Sequence, residues 1–171
     1  MSEERKFRIG IGLPMMGSVP CEIMSGVMAG CVEASRYGEV AVITIQDYSP
    51  HDRARNWIFS EALRAQCTHL WFVDSDMVLP TPCVGNLLKV MLETKAAMTT
   101  GYYLRRGFPY TSCWSGDVGN GTLGYLETRP GDGGLTPLKV TGLGCALIDM
   151  AYGVRMTKPW FELRYLPPAT P

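Results

Sequence analysis

The chain has 171 residues, 16 Lys+Arg against 16 Asp+Glu and zero formal charge, which excludes a broad basic footprint for nucleic acid or an anionic membrane. Hydrophobic residues make up 46%, enough for a buried core in a single domain over 1–171, and no apolar run approaches the ~20 residues that cross a bilayer. The start, Met1-Ser2-Glu3-Glu4, lacks an apolar signal region, so a cytoplasmic location is expected.

The six cysteines (21, 31, 67, 83, 113 and 145) form no Cys-x-x-Cys pair and have no His at zinc spacing, as in a reducing compartment. Cys31 and Cys145 sit among apolar residues and read as small buried side chains. From Phe7 to Leu13, apolar residues alternate with Arg8, Gly10 and Gly12, the pattern of a strand whose glycines admit a close helix. After Pro14-Met15-Met16-Gly17, a helix opens near Pro20 with Ile23, Met24, Val27, Met28, Cys31 and Val32 facing the core and Gly38 as its stop. Val40 to Ile45 is a second buried strand, ending at Gln46-Asp47. Ser49-Pro50-His51-Asp52 has the residues of a helix cap, and Ala54, Trp57, Ile58 and Ala62 point inward from the helix that follows. On that helix Arg53 and Asn56 share a face by i, i+3 spacing.

His69-Leu70-Trp71-Phe72-Val73 is a short apolar run leading into Asp74-Ser75-Asp76, the signature of a buried parallel strand ending in carboxylates. In an open α/β sheet, ligands gather at the carboxyl ends of strands. If the chain stays extended through Ser75, the two carboxylates point the same way with Cα atoms about 6.6 Å apart. Their repulsion there is roughly 2.5 kcal/mol at an effective dielectric of 20, which a divalent cation would convert to shared coordination. A solvated acidic turn is the alternative. Thr81-Pro82 caps a third helix carrying Val84, Leu87, Leu88, Met91 and Leu92 inward, and Ala96 to Tyr103 is a fourth strand. This β-α-β-α-β-α-β order predicts a mostly parallel central sheet flanked by helices. Beyond Arg105, glycine and proline turns predict a loop-rich part with short mixed strands near 110–115, 122–127 and 135–140, and Cys145-Ala146-Leu147-Ile148 returning to the main sheet.

Gly10, Gly12 and Gly17 have the wrong spacing for a dinucleotide fingerprint, and no Lys precedes Ser18 for a phosphate loop. The two histidines, His51 and His69, read as solvated structural residues and leave no partner for a cysteine nucleophile.

Taken in order, Gly12-Leu13-Pro14, Ala54-Arg55-Asn56, Phe72-Val73-Asp74-Ser75-Asp76-Met77, Gly101-Tyr102-Tyr103 with Arg105-Arg106, Thr141-Gly142-Leu143-Gly144-Cys145-Ala146-Leu147-Ile148 and Pro159-Trp160-Phe161 resemble glycosyltransferases of family 2. The resemblance covers most of the chain. It implies a Rossmann-like GT-A fold, with about 1–104 as a nucleotide-sugar half and about 105–171 as an acceptor half. It also implies transfer, by inversion, of a sugar from a UDP- or GDP-linked donor to a glycan, lipid or protein acceptor, with Mn²⁺ or Mg²⁺. A divalent ion would offset charge developing on the diphosphate leaving group. By resemblance Asp76 is the direct metal ligand, Asp74 supports the metal or ribose, and Ser75 lies between them. Pro14, Met15, Gln46 and Asp47 would hold base and ribose. Arg53 or Arg55 would contact base or phosphate, or be solvated helix charges. Gly142 and Gly144 would line the acceptor side or form a tight turn, and Trp160 would stack on a sugar or pack in the core.

The chain departs from the family in lacking a Glu-Asp pair and a later His after Trp160-Phe161; only Glu162 follows, so no catalytic base is assigned. Either the chain is a piece of a longer protein or catalysis is arranged differently, and Asp149 reads as a surface residue. Two alternatives stay open. One is a haloacid-dehalogenase-type phosphatase with Asp74 as nucleophile, although Asp117, Asp132 and Asp149 occur singly. The other is a nucleotide- or glycan-binding module without a base.

Overall fold

The computed structural model describes residues 7–105, 108, 110–119, 121–126 and 134–162. Arg106, Asp132 and the segments 127–133 and 163–171, on which some of the expectations above fall, lie outside the described residues. The chain begins β1 (Phe7–Met15), α1 (Cys21–Ala34), β2 (Gly38–Gln46), α2 (His51–Arg64), β3 (His69–Val73), α3 (Val84–Thr94) and β4 (Met98–Thr100). It continues β5 (Trp114–Asp117), β6 (Leu123–Tyr125), β7 (Val140–Thr141), β8 (Cys145–Asp149) and a one-turn α4 (Met150–Gly153).

Five strands form one sheet in the order β2-β1-β3-β8-β4. β2 and β3 flank β1 and run parallel to it, whereas β8 runs antiparallel to both β3 and β4. The sheet is therefore mixed. The parallel sense expected from the β-α repeat holds for β1, β2, β3 and β4, but β8 inserts between β3 and β4. The fourth strand is also shorter than the expected Ala96 to Tyr103. The remaining short strands form a separate antiparallel sheet, β6-β5-β7. Of the expected strand at 135–140, only Val140 is extended in a ladder.

All five residues of β3 are buried, and alternation sends them to two cores. Trp71 and Val73 join Ile9, Ile11, Val27, Val84, Leu88 and Leu147 under α1 and α3. Leu70 and Phe72 join Ile43, Ile58, Phe59, Ala62 and Ile148 under α2. The α2 side is close-fitting: a Cβ on Gly12 would lie 2.6 Å from the Ile58 side chain, so the strand glycine does admit a helix.

Several helix expectations are corrected. On α1, Met24, Met28 and Val32 are exposed while Ile23, Val27 and Ala34 are buried, so the methionine stripe faces out. Trp57 and Leu92 are likewise exposed at 40% and 53%, and Phe59 takes the core position on α2. Gly38, read as a helix stop, begins β2. Neither Ser49 nor Thr81 caps a helix; the residues before α2 and α3 are Pro50 and Cys83, and neither makes a side-chain cap. The cap on α3 comes from another element. Glu33 of α1 is buried, and its Oε2 and Oε1 accept the backbone N–H of Cys83 (2.9 Å) and Gly85 (2.8 Å). A carboxylate on two first-turn amides satisfies orphan donors and meets the positive end of the helix dipole.

Candidate functional site

β1 and β3 end side by side, and an open cleft of about 550 Å³ lies beyond them, lined by Pro14, Met16, His51, Arg55, Asp74, Ser75 and Asp76. The chain does not stay extended through Ser75. The Met77 N–H donates to the Asp74 carbonyl (3.1 Å), closing a turn, so the same-side extended placement of the two aspartates is replaced by a turn that still puts both in one cleft.

Asp74 is held from several directions. Nη2 of Arg55 donates to Oδ1 at 2.8 Å and to Oδ2 at 3.0 Å, and Nη1 donates to the Leu143 carbonyl at 3.2 Å. The backbone N–H of Asp74 donates to the Gly144 carbonyl at 2.9 Å. The Arg55 guanidinium lies 5.5 Å from the Phe72 ring centroid, and the Arg55 and Asp74 side chains are only 13% and 31% exposed. Such partly desolvated, charge-assisted contacts fix a carboxylate more firmly than a surface ion pair does. Asp76, in the turn, is exposed.

Tyr103 explains the glycines of the 142–144 loop. Its Oη accepts the Gly144 N–H at 2.8 Å; a Cβ on Gly142 would lie 2.3 Å from that oxygen, and one on Gly144 would lie 3.2 Å from the ring and 3.3 Å from Asp74 Oδ2. The missing side chains make room for Tyr103. Burial pushes the Tyr103 phenol above its ordinary range, so it stays neutral near pH 7.

The other expected site residues are distributed differently. Pro14 lines the cleft and is buried; Met15, paired with Gln46 at the strand ends, packs against the α1-side core. Asp47 ties down the β1–α1 loop: its Oδ1 accepts the Gly17 N–H at 2.7 Å, and its own N–H donates to the Met15 carbonyl at 2.9 Å. Neither Gln46 nor Asp47 lines the cleft. Arg53 and Trp160 instead line a second cleft of about 390 Å³ with Tyr48, Asn56, Trp57, Lys158 and Pro159, on the other side of α2 from His51 and Arg55. Trp160 packs on Phe59 with centroids 4.5 Å apart, and Asn56 exchanges hydrogen bonds with the Phe161 backbone.

His51 opens α2 and lines the first cleft, whereas its sequence context suggested only a solvated structural role. His69 is structural but not solvated: it is 7% exposed, edge-on to Phe7, and burial lowers its pKa. Asp149 caps α4 by accepting the Ala151 N–H, and Asp117 accepts the N–H of Gly119 and Gly121 in its turn. Among the described residues no three His, Cys, Asp or Glu side chains are grouped to hold a metal. No family model matches the chain, and no curated protein or solved structure matches it.

Proposed function

We propose that the chain is a metal-dependent glycosyltransferase with a GT-A-like arrangement that takes a UDP- or GDP-linked sugar in the Asp74–Asp76 cleft. The observation that carries this reading is the joining of Arg55, Asp74 and the 142–144 loop beside a second carboxylate at the ends of two parallel strands. Asp74 and Asp76 outnumber Arg55 among the carboxylates and guanidinium that line the cleft, so a diphosphate is expected to enter with a cation. Two carboxylates, one already shared with Arg55, are too few for an all-protein cage. They do fit Mg²⁺ or Mn²⁺ completed by phosphate oxygens and water.

On this reading Asp76 is the direct ligand and Asp74 is the positioned partner that orients ribose or metal-bound water. The metal, when bound, supplies positive charge against the departing diphosphate. Arg55 holds Asp74 and the loop in place, and Pro14 and Met16 form the floor for the base. Tyr103 sets the shape of the acceptor loop at Gly142 and Gly144. The engagement of Asp74 by Arg55 weighs against a nucleophilic role in a phosphatase, since a nucleophile held at both oxygens would have to break those bonds to attack. A binding module without turnover is the second reading.

Thermal-shift titration with UDP-, GDP- and other sugar nucleotides, with and without Mn²⁺ or Mg²⁺, tests the proposal. Metal and nucleotide are each expected to stabilise weakly alone and strongly together, because each completes the other's site. No joint stabilisation by any nucleotide would overturn it. Joint stabilisation without sugar transfer or donor hydrolysis would select the binding module, and Mg²⁺-dependent hydrolysis of a simple phosphate ester, lost in Asp74→Asn, would select the phosphatase.

A further inference from the structure

Two cysteines that the cleft does not use sit directly behind it. Cys83 and Cys145 are 62 residues apart in sequence, yet their Sγ atoms are 3.6 Å apart, and the residues are only 8% and 3% exposed. All six cysteines are free thiols. The position of this pair is what gives it consequence. Cys145 begins β8 directly opposite Val73, the last residue of β3. Cys83 immediately precedes α3, its N–H fixed by the buried Glu33 carboxylate. The segment 74–82, which carries Asp74, Ser75 and Asp76, therefore leaves the core beside one sulfur and re-enters it at the other.

We propose that Cys83 and Cys145 are a reversible oxidation site whose disulfide fastens the return end of the 74–82 segment to β8. A disulfide S–S bond is about 2.05 Å, so the sulfurs must approach by about 1.5 Å, shared between two side chains. The co-reactant is a low-molecular-weight disulfide of the glutathione class. One protein thiolate attacks a glutathione sulfur, forming a mixed disulfide and releasing one glutathione thiolate. The second cysteine, after losing its proton, attacks the protein sulfur of that mixed disulfide and expels the other glutathione. Two protein thiols are oxidised and one glutathione disulfide is reduced to two thiols. Cys145, at 3.6 Å from its partner sulfur, is suited to be the first nucleophile: the hydrogen bond from Cys83 lowers its pKa, while that same hydrogen bond, then burial, raises that of Cys83. Because both sulfurs are buried, exchange requires the 74–82 segment to open, so equilibration is slow and the closed form is trapped once made.

The inference is independent of what the cleft binds, and mass reads it directly. The full chain is equilibrated in glutathione buffers from fully reduced to fully oxidised, quenched with acid, unfolded, alkylated and digested. The expected result is a loss of two of the six alkylation sites and a cross-linked peptide joining Cys83 to Cys145, reversed by dithiothreitol. Six alkylated cysteines in the most oxidising buffer, or a first disulfide joining any other pair, would overturn the assignment. Proteolysis within 74–82 is expected to slow about tenfold or more in the oxidised protein, since opening of that segment becomes costly; equal rates would overturn the fastening. Cys83→Ser is expected to abolish both effects, and the wild-type mapping stands without it should that variant fold poorly.

Discussion

Replacing Arg55 by methionine keeps most of the side-chain volume but removes the cation that holds Asp74 and ties it to the Leu143 carbonyl. The lost charge-assisted bonds should lower stability by about 1–2 kcal/mol, a figure kept small because Asp74 is about one-third exposed. Metal affinity should rise modestly while nucleotide-dependent stabilisation falls, because Asp74 is freed but no longer aimed. Calorimetry with Mn²⁺ alone and with nucleotide separates the two effects. Asp76→Asn should instead abolish the joint metal–nucleotide stabilisation while leaving the unliganded melting temperature within about a degree or two, as expected for an exposed turn residue. A third residue governs pH response. Burial lowers the pKa of His69, so the unfolded chain binds its proton more readily than the folded one. Stability should therefore fall as pH drops below about 6.5 and level off once pH passes below the folded value. Denaturant titrations at several pH values check this, and His69→Gln should flatten that part of the profile.

At the level of elements, the Glu33 carboxylate decides where α3 begins. Glu33→Ala removes two charge-assisted bonds and strands two buried amides, so unfolding free energy should fall by about 3 kcal/mol. Urea denaturation measures it, and a change below about 0.5 kcal/mol would exclude Glu33 as the cap. This cap also marks where local pattern stops being informative. The order of strands and helices through α3 was legible because burial on two faces leaves an unbroken apolar run in β3 and a helical repeat in α3. Asp74 and Asp76 were legible as an acidic pair at a strand end, but not whether they lined a cleft or only a solvated turn, because that depends on Arg55 and the 142–144 loop meeting Asp74. Glu33 was not, since its partners are backbone amides 50 and 52 residues away, which no side-chain periodicity encodes. The outward face of Met24 and Met28 was misread for a related reason: a stripe gives helical phase but not which edge of it meets the sheet. Tyr103 and the 142–144 loop could have been connected only by knowing that β8 enters beside β3. The antiparallel sense of β8 was not encoded in the β-α repeat that precedes it.

Across the whole molecule, protection should follow the sheet. β3 is buried throughout and paired on both sides, so its amides should exchange only by global unfolding, while those of β5, β6 and β7, with exposed residues such as Leu123, Tyr125 and Val140, should exchange through smaller openings. Hydrogen-exchange mass spectrometry should show at least about a hundredfold difference in rate, corresponding to about 2.7 kcal/mol. No helix among the described residues is long and apolar enough to cross a membrane. The position of β8 has a kinetic consequence as well. During synthesis β3 has one open edge, and β4 has no partner at all, until residues 145–149 have emerged and threaded between them. Pairings across such sequence distances close slowly, and an open apolar strand edge is a template for association with other chains. A nascent chain stopped after residue 104 would hold every residue of the cleft's carboxylate turn and still lack the strand that seals it.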